Sequence, residues 1–279
     1  MKLGLFGINM GPCAAPAALG NAARAAEQAG FESVWTGEHV VVPDPQAPPS
    51  PMAPEDPALD PLLGLAWAAA ATTTLRLATG IVILPQRNPV VLAKQVASLD
   101  VLSGGRVTFG IGVGYLEPEF RAVGANFDER GAVTDDFLSA MERLWYDEQP
   151  EFHGRHADFA GVNAYPRPVQ QPIPSVIGGS SAPARRRAVT RGHGWYGFRV
   201  PPEHAGAEVA ALAATATRVE RPAALGELEI SITPPGRLTP EAAAAYAEAG
   251  VDRLVTAPPP EPDGVAKAIE ATLAATTGL

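Results

Sequence analysis

Short runs of β-branched, aromatic and Leu residues alternate along this chain with longer Ala-rich stretches, and the alternation repeats eight times. That pattern predicts a parallel sheet with crossover helices. The β-type runs cover residues 2–8, 33–37, 75–83, 106–112, 174–179, 194–198, 228–233 and 252–257. Helices are expected near 17–29, 58–72, 89–102, 131–146, 182–191, 202–217, 239–249 and 262–276. Eight strand–helix units suggest closure into a (β/α)8 TIM barrel. The 279 residues suit one such domain spanning the chain, because a barrel of this kind typically needs about 250. The run "GWYGF" at 194–198 carries two glycines, which weakens the sixth strand and keeps an open doubly wound sheet as the alternative.

Two segments exceed a normal strand-to-helix loop. "VVVPDPQAPPSPMAPEDPALDP" (40–61) is too rich in Pro for regular structure and begins where the second strand ends, which suits a lid over the active-site face. "EFHGRHADFAG", within 148–174, sets turn residues between short apolar stretches and predicts a hairpin.

Composition narrows the function. With 46% hydrophobic and 18% charged residues, the chain can close a large core without staples. A net charge of −9 argues against nucleic acid or an anionic membrane as partner. The longest strongly apolar run, "LLGLAWAAAA" at 62–71, falls short of the ~18–20 residues that a membrane helix requires. "MKLGLFGI" lacks the long apolar centre of a secretory signal. Cys13 is alone, which excludes an internal disulfide and fits a reducing, cytoplasmic compartment. Cys13, Trp67 and Trp145 are expected in the core. His153, His156 and His204 share no metal-ligand spacing, so no metal site is expected.

"SVWTGEHVVVP" at 33–43 places Glu38 and His39 directly after a strand. The C-terminal end of a barrel strand faces the side that carries chemistry. An imidazole that titrates near neutrality is a natural proton carrier there. A structural pair satisfying each other or the backbone has the same sequence. Asn9 and Met10 after the first strand, and Gly112, Val113 and Gly114 after the fourth, lie at the same mouth and are candidates for contact with a substrate or a planar cofactor. "VIGGSSAPARRRA" ends a strand in two glycines, offers two hydroxyls and opens a helix, and backbone amides at such a terminus suit a phosphate. Arg185, Arg186 and Arg187 follow. Side chains turn 100° per helical residue, so only one is expected to meet an anionic tail.

Several longer segments carry a family likeness. They are "GFESVWTGEH", "LATGIVILPQRNPVVLAKQVASLDVLSGGRVTFGIGVG", "FDERGAVTDDFLSAMERLWYDEQPEFHGRHADF", "YPRPVQQPIPSVIGGSS" and "GHGW". Within residues 1 to about 198 the chain resembles the bacterial luciferase-like monooxygenase superfamily, in its branch of deazaflavin-dependent oxidoreductases. The resemblance implies coenzyme F420, an 8-hydroxy-5-deazaflavin, lying against the strand ends and exchanging a hydride at C5 with a small organic substrate. It implies a bulge with a non-proline cis peptide at Gly80–Ile81, following Thr79, beneath the ring. It also implies a phosphate grip at Gly178, Gly179 and Ser180, with Ser181 beside them, and a homodimer. His39 then moves the proton, and Glu38 orients it or holds local structure. Two departures stand out. Tyr115 occupies the position after the strand-four glycine where some relatives carry a glutamate acid, which makes Tyr115 a candidate proton donor. His193 stands where relatives usually have Asp. The alternatives are an FMN-dependent luciferase-like monooxygenase and a catalytically silent cofactor-binding barrel.

Overall fold

Each β-type run becomes a strand in the computed structural model, which describes residues 1–261 and 263–279. The strands are β1 (Lys2–Phe6), β2 (Ser33–Thr36), β3 (Arg76–Thr79), β4 (Val82–Ile83), β5 (Val107–Gly112), β6 (Phe152–His153), β7 (Asp158–Phe159), β8 (Ser175–Gly178), β9 (Gly194–Phe198), β10 (Glu229–Thr233) and β11 (Arg253–Thr256). β3 and β4 are two halves of one barrel strand. β3 pairs with β2 and with the start of β5, and β4 pairs with the end of β5. The order then runs β1, β2, β3/β4, β5, β8, β9, β10, β11, and β11 pairs with β1 to close the ring. All of these pairings are parallel. The barrel is therefore closed, and the open sheet is excluded. The expected hairpin is the antiparallel pair β6–β7, with Phe152 opposite Phe159.

The helices are α1 (Pro16–Gln28), α2 (Pro61–Ala71), α3 (Pro89–Ser103), α4 (Glu117–Val123), α5 (Arg130–Tyr146), α6 (Ala182–Arg191), α7 (Pro202–Ala216), α8 (Pro240–Glu248) and α9 (Gly264–Ala275). Residue 262, where the last helix was expected to begin, lies outside the described residues. α4 has no counterpart in the sequence pattern, being only seven residues long. Most helices start with Pro in the first turn, where the missing N–H costs nothing. Asp60, Asn88, Ser181 and Thr239 cap the amides that follow. Part of the chain's high proline content thus marks helix starts around the C-terminal rim of the barrel. No helix of the described residues is long and apolar enough to cross a membrane.

Apolar residues form two bodies. One lies between barrel and helices, where Trp145 and Cys13 are buried as expected. The other fills the upper barrel with Phe6, Trp35, Ala78, Val176, Tyr196 and Val255, with Met10 and Ile81 packed against it. Trp35 stacks on Tyr196 at 5.0 Å. A Cβ on Gly4 would stand 2.8 Å from the Trp35 indole nitrogen, so the indole fits only because β1 carries glycine there. Below this layer the barrel is polar, with Arg253 bonded to Glu32 and, at 2.8 Å, to Glu229. A hydrophobic ceiling over a charged plug leaves the aromatic layer as the base of whatever binds at the mouth. Trp67 corrects the sequence reading. It is 53% exposed on α2, with its indole N–H donating to the Pro16 carbonyl at 2.9 Å.

Candidate active site

The floor of the mouth is made where β3 breaks into β4. Gly80–Ile81 is a cis peptide, and the interruption removes the ladder partners that Gly110 of β5 faces on that side. The Thr79 hydroxyl replaces them, donating to the Gly110 carbonyl at 2.6 Å and accepting from the Gly110 amide at 2.8 Å. A hydroxyl can do both at once. A Cβ on Gly110 would fall 1.8 Å from the Thr79 carbonyl oxygen. Thr79 therefore holds the floor from beneath and offers no hydroxyl to the mouth, which corrects its expected place as a cofactor contact. Ile81 projects between Gly112 and Gly178, whose Cβ atoms would meet its side chain at 2.7 and 3.1 Å. Three neighbouring barrel strands thus meet around one aliphatic side chain, with glycine on either side. Val113 and Gly114 follow, and Gly114 has φ +75, where a side chain would also crowd Ile83 and Phe120.

The polar wall differs from expectation in one partner. His39 does not pair with its neighbour Glu38. Its Nδ1 lies 3.3 Å from Glu119 Oε2, and its Nε2 lies 3.4 Å from the Tyr115 hydroxyl. The other Glu119 oxygen accepts from the Val40 amide at 2.5 Å. The side chains of Glu119 and His39 are 0% and 9% exposed, and Tyr115 is 51% exposed, so the chain of contacts runs from interior to mouth. Burial and the Glu119 charge push the Tyr115 phenol above its ordinary range. Glu38 faces away from His39. It accepts from Arg87 Nε at 2.8 Å and from the Ile83 amide at 2.5 Å, while Arg87 also reaches Asp60 at 2.7 Å. Burial pushes the Glu38 carboxyl up, and Arg87 and the Ile83 amide pull against it. Of its two expected tasks, Glu38 does the local one, locking β4 and the segment before α2 to the end of β2.

Gly178, Gly179, Ser180 and Ser181 connect β8 to α6 at the same rim. Gly179 has φ +105, Ser180 and Ser181 are exposed, and the Ser181 hydroxyl caps α6 by accepting from the Ala184 amide at 3.3 Å. The arginines separate as helical geometry demands. Arg185 pairs with Glu208 at 2.9 Å and Arg187 with Asp135 at 2.7 Å, leaving Arg186 as the exposed member of the trio. His193 precedes β9 at the opposite end of the barrel, bonded to the Ser175 amide, so it does not adjoin the loop of Gly178 to Ser181. Burial and Arg221 lower its pKa.

Asn9 corrects another expectation. It is fully buried, its amide donating to the Gly37 and Leu59 carbonyls at 2.9 and 2.7 Å and its oxygen accepting from the Gly37 amide. Asn9 ties the ends of β1 and β2 to the Pro-rich 40–61 segment and leaves no polar atom for a substrate. Met10 lies beside it, with its methyl against Gly37. Phe6, Met10 and Cys13 also line a cavity of roughly 650 Å³ between α1 and α9. None of His39, Tyr115 and Glu119 lines that cavity. No group of three or more His, Cys, Asp or Glu among the described residues is placed to hold a metal ion.

The comparisons with known proteins agree with this geometry. An uncharacterized protein of Mycobacterium tuberculosis is 33% identical over 183 residues, 62% of this chain and 65% of its own. The match thus spans just under two thirds of that relative. An FMNH2-dependent dimethylsulfone monooxygenase of Pseudomonas putida is 33% identical over 130 residues, covering 46% of this chain and 36% of its own. Among solved structures, an F420-dependent secondary alcohol dehydrogenase in complex with an F420-acetone adduct superposes with a TM-score of 0.77 over 98% of both chains, at 17% identity. The luciferase-like monooxygenase profile matches residues 6–276. With nearly the whole barrel inside that match, the chain belongs to the luciferase-like monooxygenase family.

Proposed function

We propose that this oxidoreductase holds coenzyme F420 in the barrel mouth and exchanges a hydride between the deazaflavin C5 and a small organic substrate. The observation that carries the reading is the glycine-flanked floor at Ile81. Gly112 and Gly178 accommodate the Ile81 side chain, which any larger residue at either position would strike, and the aliphatic platform so packed at the strand ends suits one face of a flat tricyclic ring. Gly179, Ser180 and Ser181, at the start of α6, would hold the cofactor phosphate on backbone amides and the Ser180 hydroxyl. Arg186 is the arginine of the trio available to an anionic tail. Once bound, the cofactor supplies the two-electron chemistry, and the protein supplies position. His39 carries the accompanying proton at the same rim, and Met10 bounds the substrate space.

FMN is the second reading, supported by the Pseudomonas relative. Deazaflavin is preferred on the likeness of residues 1 to about 198 to the deazaflavin-dependent branch; the shared barrel does not itself separate the two cofactors. The deciding experiment titrates the purified protein with F420 and with FMN, followed by fluorescence and calorimetry. Tighter F420 binding, with reduced F420 consumed in the presence of an aldehyde and ketone panel, is expected. Tighter FMN binding with oxygen uptake would overturn the deazaflavin assignment, and binding without turnover would favour a silent cofactor-binding barrel. A cytoplasmic homodimer completes the proposal, and sedimentation of the purified chain tests the dimer.

A further inference from the structure

We infer that Glu119, His39 and Tyr115 form a proton relay in which the Tyr115 hydroxyl, and not the imidazole, exchanges the proton with a carbonyl or alcohol oxygen of the substrate. The inference rests on the oxidoreductase reading above. Both ring nitrogens of His39 are already engaged, Nδ1 by the Glu119 carboxylate at 3.3 Å and Nε2 by the Tyr115 hydroxyl at 3.4 Å. At 9% side-chain exposure, the ring has little surface left for a ligand. Tyr115, half exposed and edge-on to the ring at 82°, is the member that a substrate can touch. Both distances are at the long end for hydrogen bonds, as is common in catalytic pairs without substrate.

The remaining charged groups nearby are otherwise occupied. Glu38 is held by Arg87 and the Ile83 amide, Asp60 by Arg87, and Glu117 pairs with Arg121 at 3.1 Å. Glu119 is thus the single carboxylate directed at His39 among the described residues. It fixes the ring by accepting from Nδ1–H, which presents Nε2 to the phenol. Glu119 is a positioning residue, and Tyr115 is the catalytic one.

In the reducing direction a bound reduced deazaflavin would supply the hydride, two electrons and one hydrogen, that the carbonyl carbon gains, and would itself be left oxidised. The carbonyl oxygen takes the Tyr115 proton as its π bond opens. The phenol oxygen takes the Nε2 proton of the His39 imidazolium, leaving a neutral Nδ1–H ring on Glu119, and solvent later returns one proton to Nε2. Alcohol oxidation runs each transfer backwards.

The first test needs no cofactor. Nitrogen NMR of the full chain with isotope-labelled histidine, with His39 assigned by its loss in His39→Asn, reads the tautomer of the neutral ring. Nδ1–H should predominate, and Glu119→Gln should shift the population toward Nε2–H. Gln keeps a carbonyl oxygen for the Val40 amide, so a purely structural Glu119 would leave the tautomer unmoved. An Nε2–H ring in the unmodified protein, or no response to Glu119→Gln, overturns the relay. The second test uses reduced F420 with the aldehyde and ketone panel. Tyr115→Phe should lower turnover by about 10²- to 10⁴-fold, the usual span for general acid catalysis, with F420 affinity unchanged and His39→Asn adding little further loss. Full turnover in Tyr115→Phe overturns the relay and leaves the oxidoreductase reading standing. If F420 does not bind the unmodified protein, that reading fails, and the tautomer measurement still decides the hydrogen-bond chain on which the relay depends.

Discussion

Replacing Thr79 by Val removes one oxygen and leaves the shape nearly unchanged, so it isolates what the hydroxyl does at the strand break. In the native barrel that oxygen serves both the amide and the carbonyl of Gly110, at 2.8 and 2.6 Å, in a position only 1% exposed. Neither group has another partner on that side, because β3 ends at Thr79 and β4 resumes pairing with β5 only at Ile111. The second Val methyl fills the vacated space and keeps water out. Each buried polar group left unpaired costs about 1–3 kcal/mol, so the variant should lose about 2–6 kcal/mol. Thr79→Ser keeps both bonds and sheds one methyl, a loss of about 1 kcal/mol. Equilibrium urea unfolding of the three proteins measures the difference. If Val is no less stable than Ser, the hydroxyl does not hold the break, and the floor owes its shape to the backbone alone.

Glu38→Gln should destabilise the fold by about 3 kcal/mol, the lower end for breaking a buried pair, because Arg87 retains Asp60 at 2.7 Å; an unchanged thermal midpoint would refute the structural role. Glu27 predicts an acid-side effect. Burial opposes its ionisation, but the Thr73, Thr74 and Leu75 amides and the Thr74 hydroxyl outweigh that and lower its pKa to about 2. A depressed folded-state pKa contributes stability that is complete above the unfolded value near pH 4.5 and is lost as pH falls toward 2. Glu27→Gln should therefore flatten the drop in melting temperature between about pH 5 and about pH 3, and an undiminished drop would contradict the assignment. Arg199 is the one non-glycine residue among those described with positive φ, at 54°. Arg199→Gly should raise stability by up to about 1 kcal/mol while Arg199→Ala does not, since only glycine escapes the left-handed penalty; equal midpoints for the two variants would count against backbone strain there.

The barrel was legible because its strands are short, β-rich and mostly closed by Gly or Thr, and because helices follow at regular intervals. Even "GWYGF", the weakest run, forms β9 over its full expected length, since pairing with β8 and β10 compensates for two glycines. α4 was hidden by its brevity, and Glu119 was hidden with it. The sequence offered Glu38 as the partner of His39 because they are adjacent, yet consecutive residues at a strand end diverge. The true neighbour lies 80 positions away, a contact that only barrel closure creates. Asn9 was misread for a related reason. A polar residue in a loop looks available until the Pro-rich segment covers it.

The ring of capped, proline-led helix starts separates two jobs that loops usually share. Asp60–Pro61, Asn88–Pro89 and Thr239–Pro240 each begin a helix from their own dipeptide, so the register of each helix does not depend on the loop that leads into it. The loops over the mouth can then be lengthened, shortened or exchanged as separate modules while the chassis beneath keeps its shape. For protein engineering, new substrate scope in this barrel is best sought by grafting between a strand's last residue and the next cap, leaving the cap–proline pair untouched as the splice point.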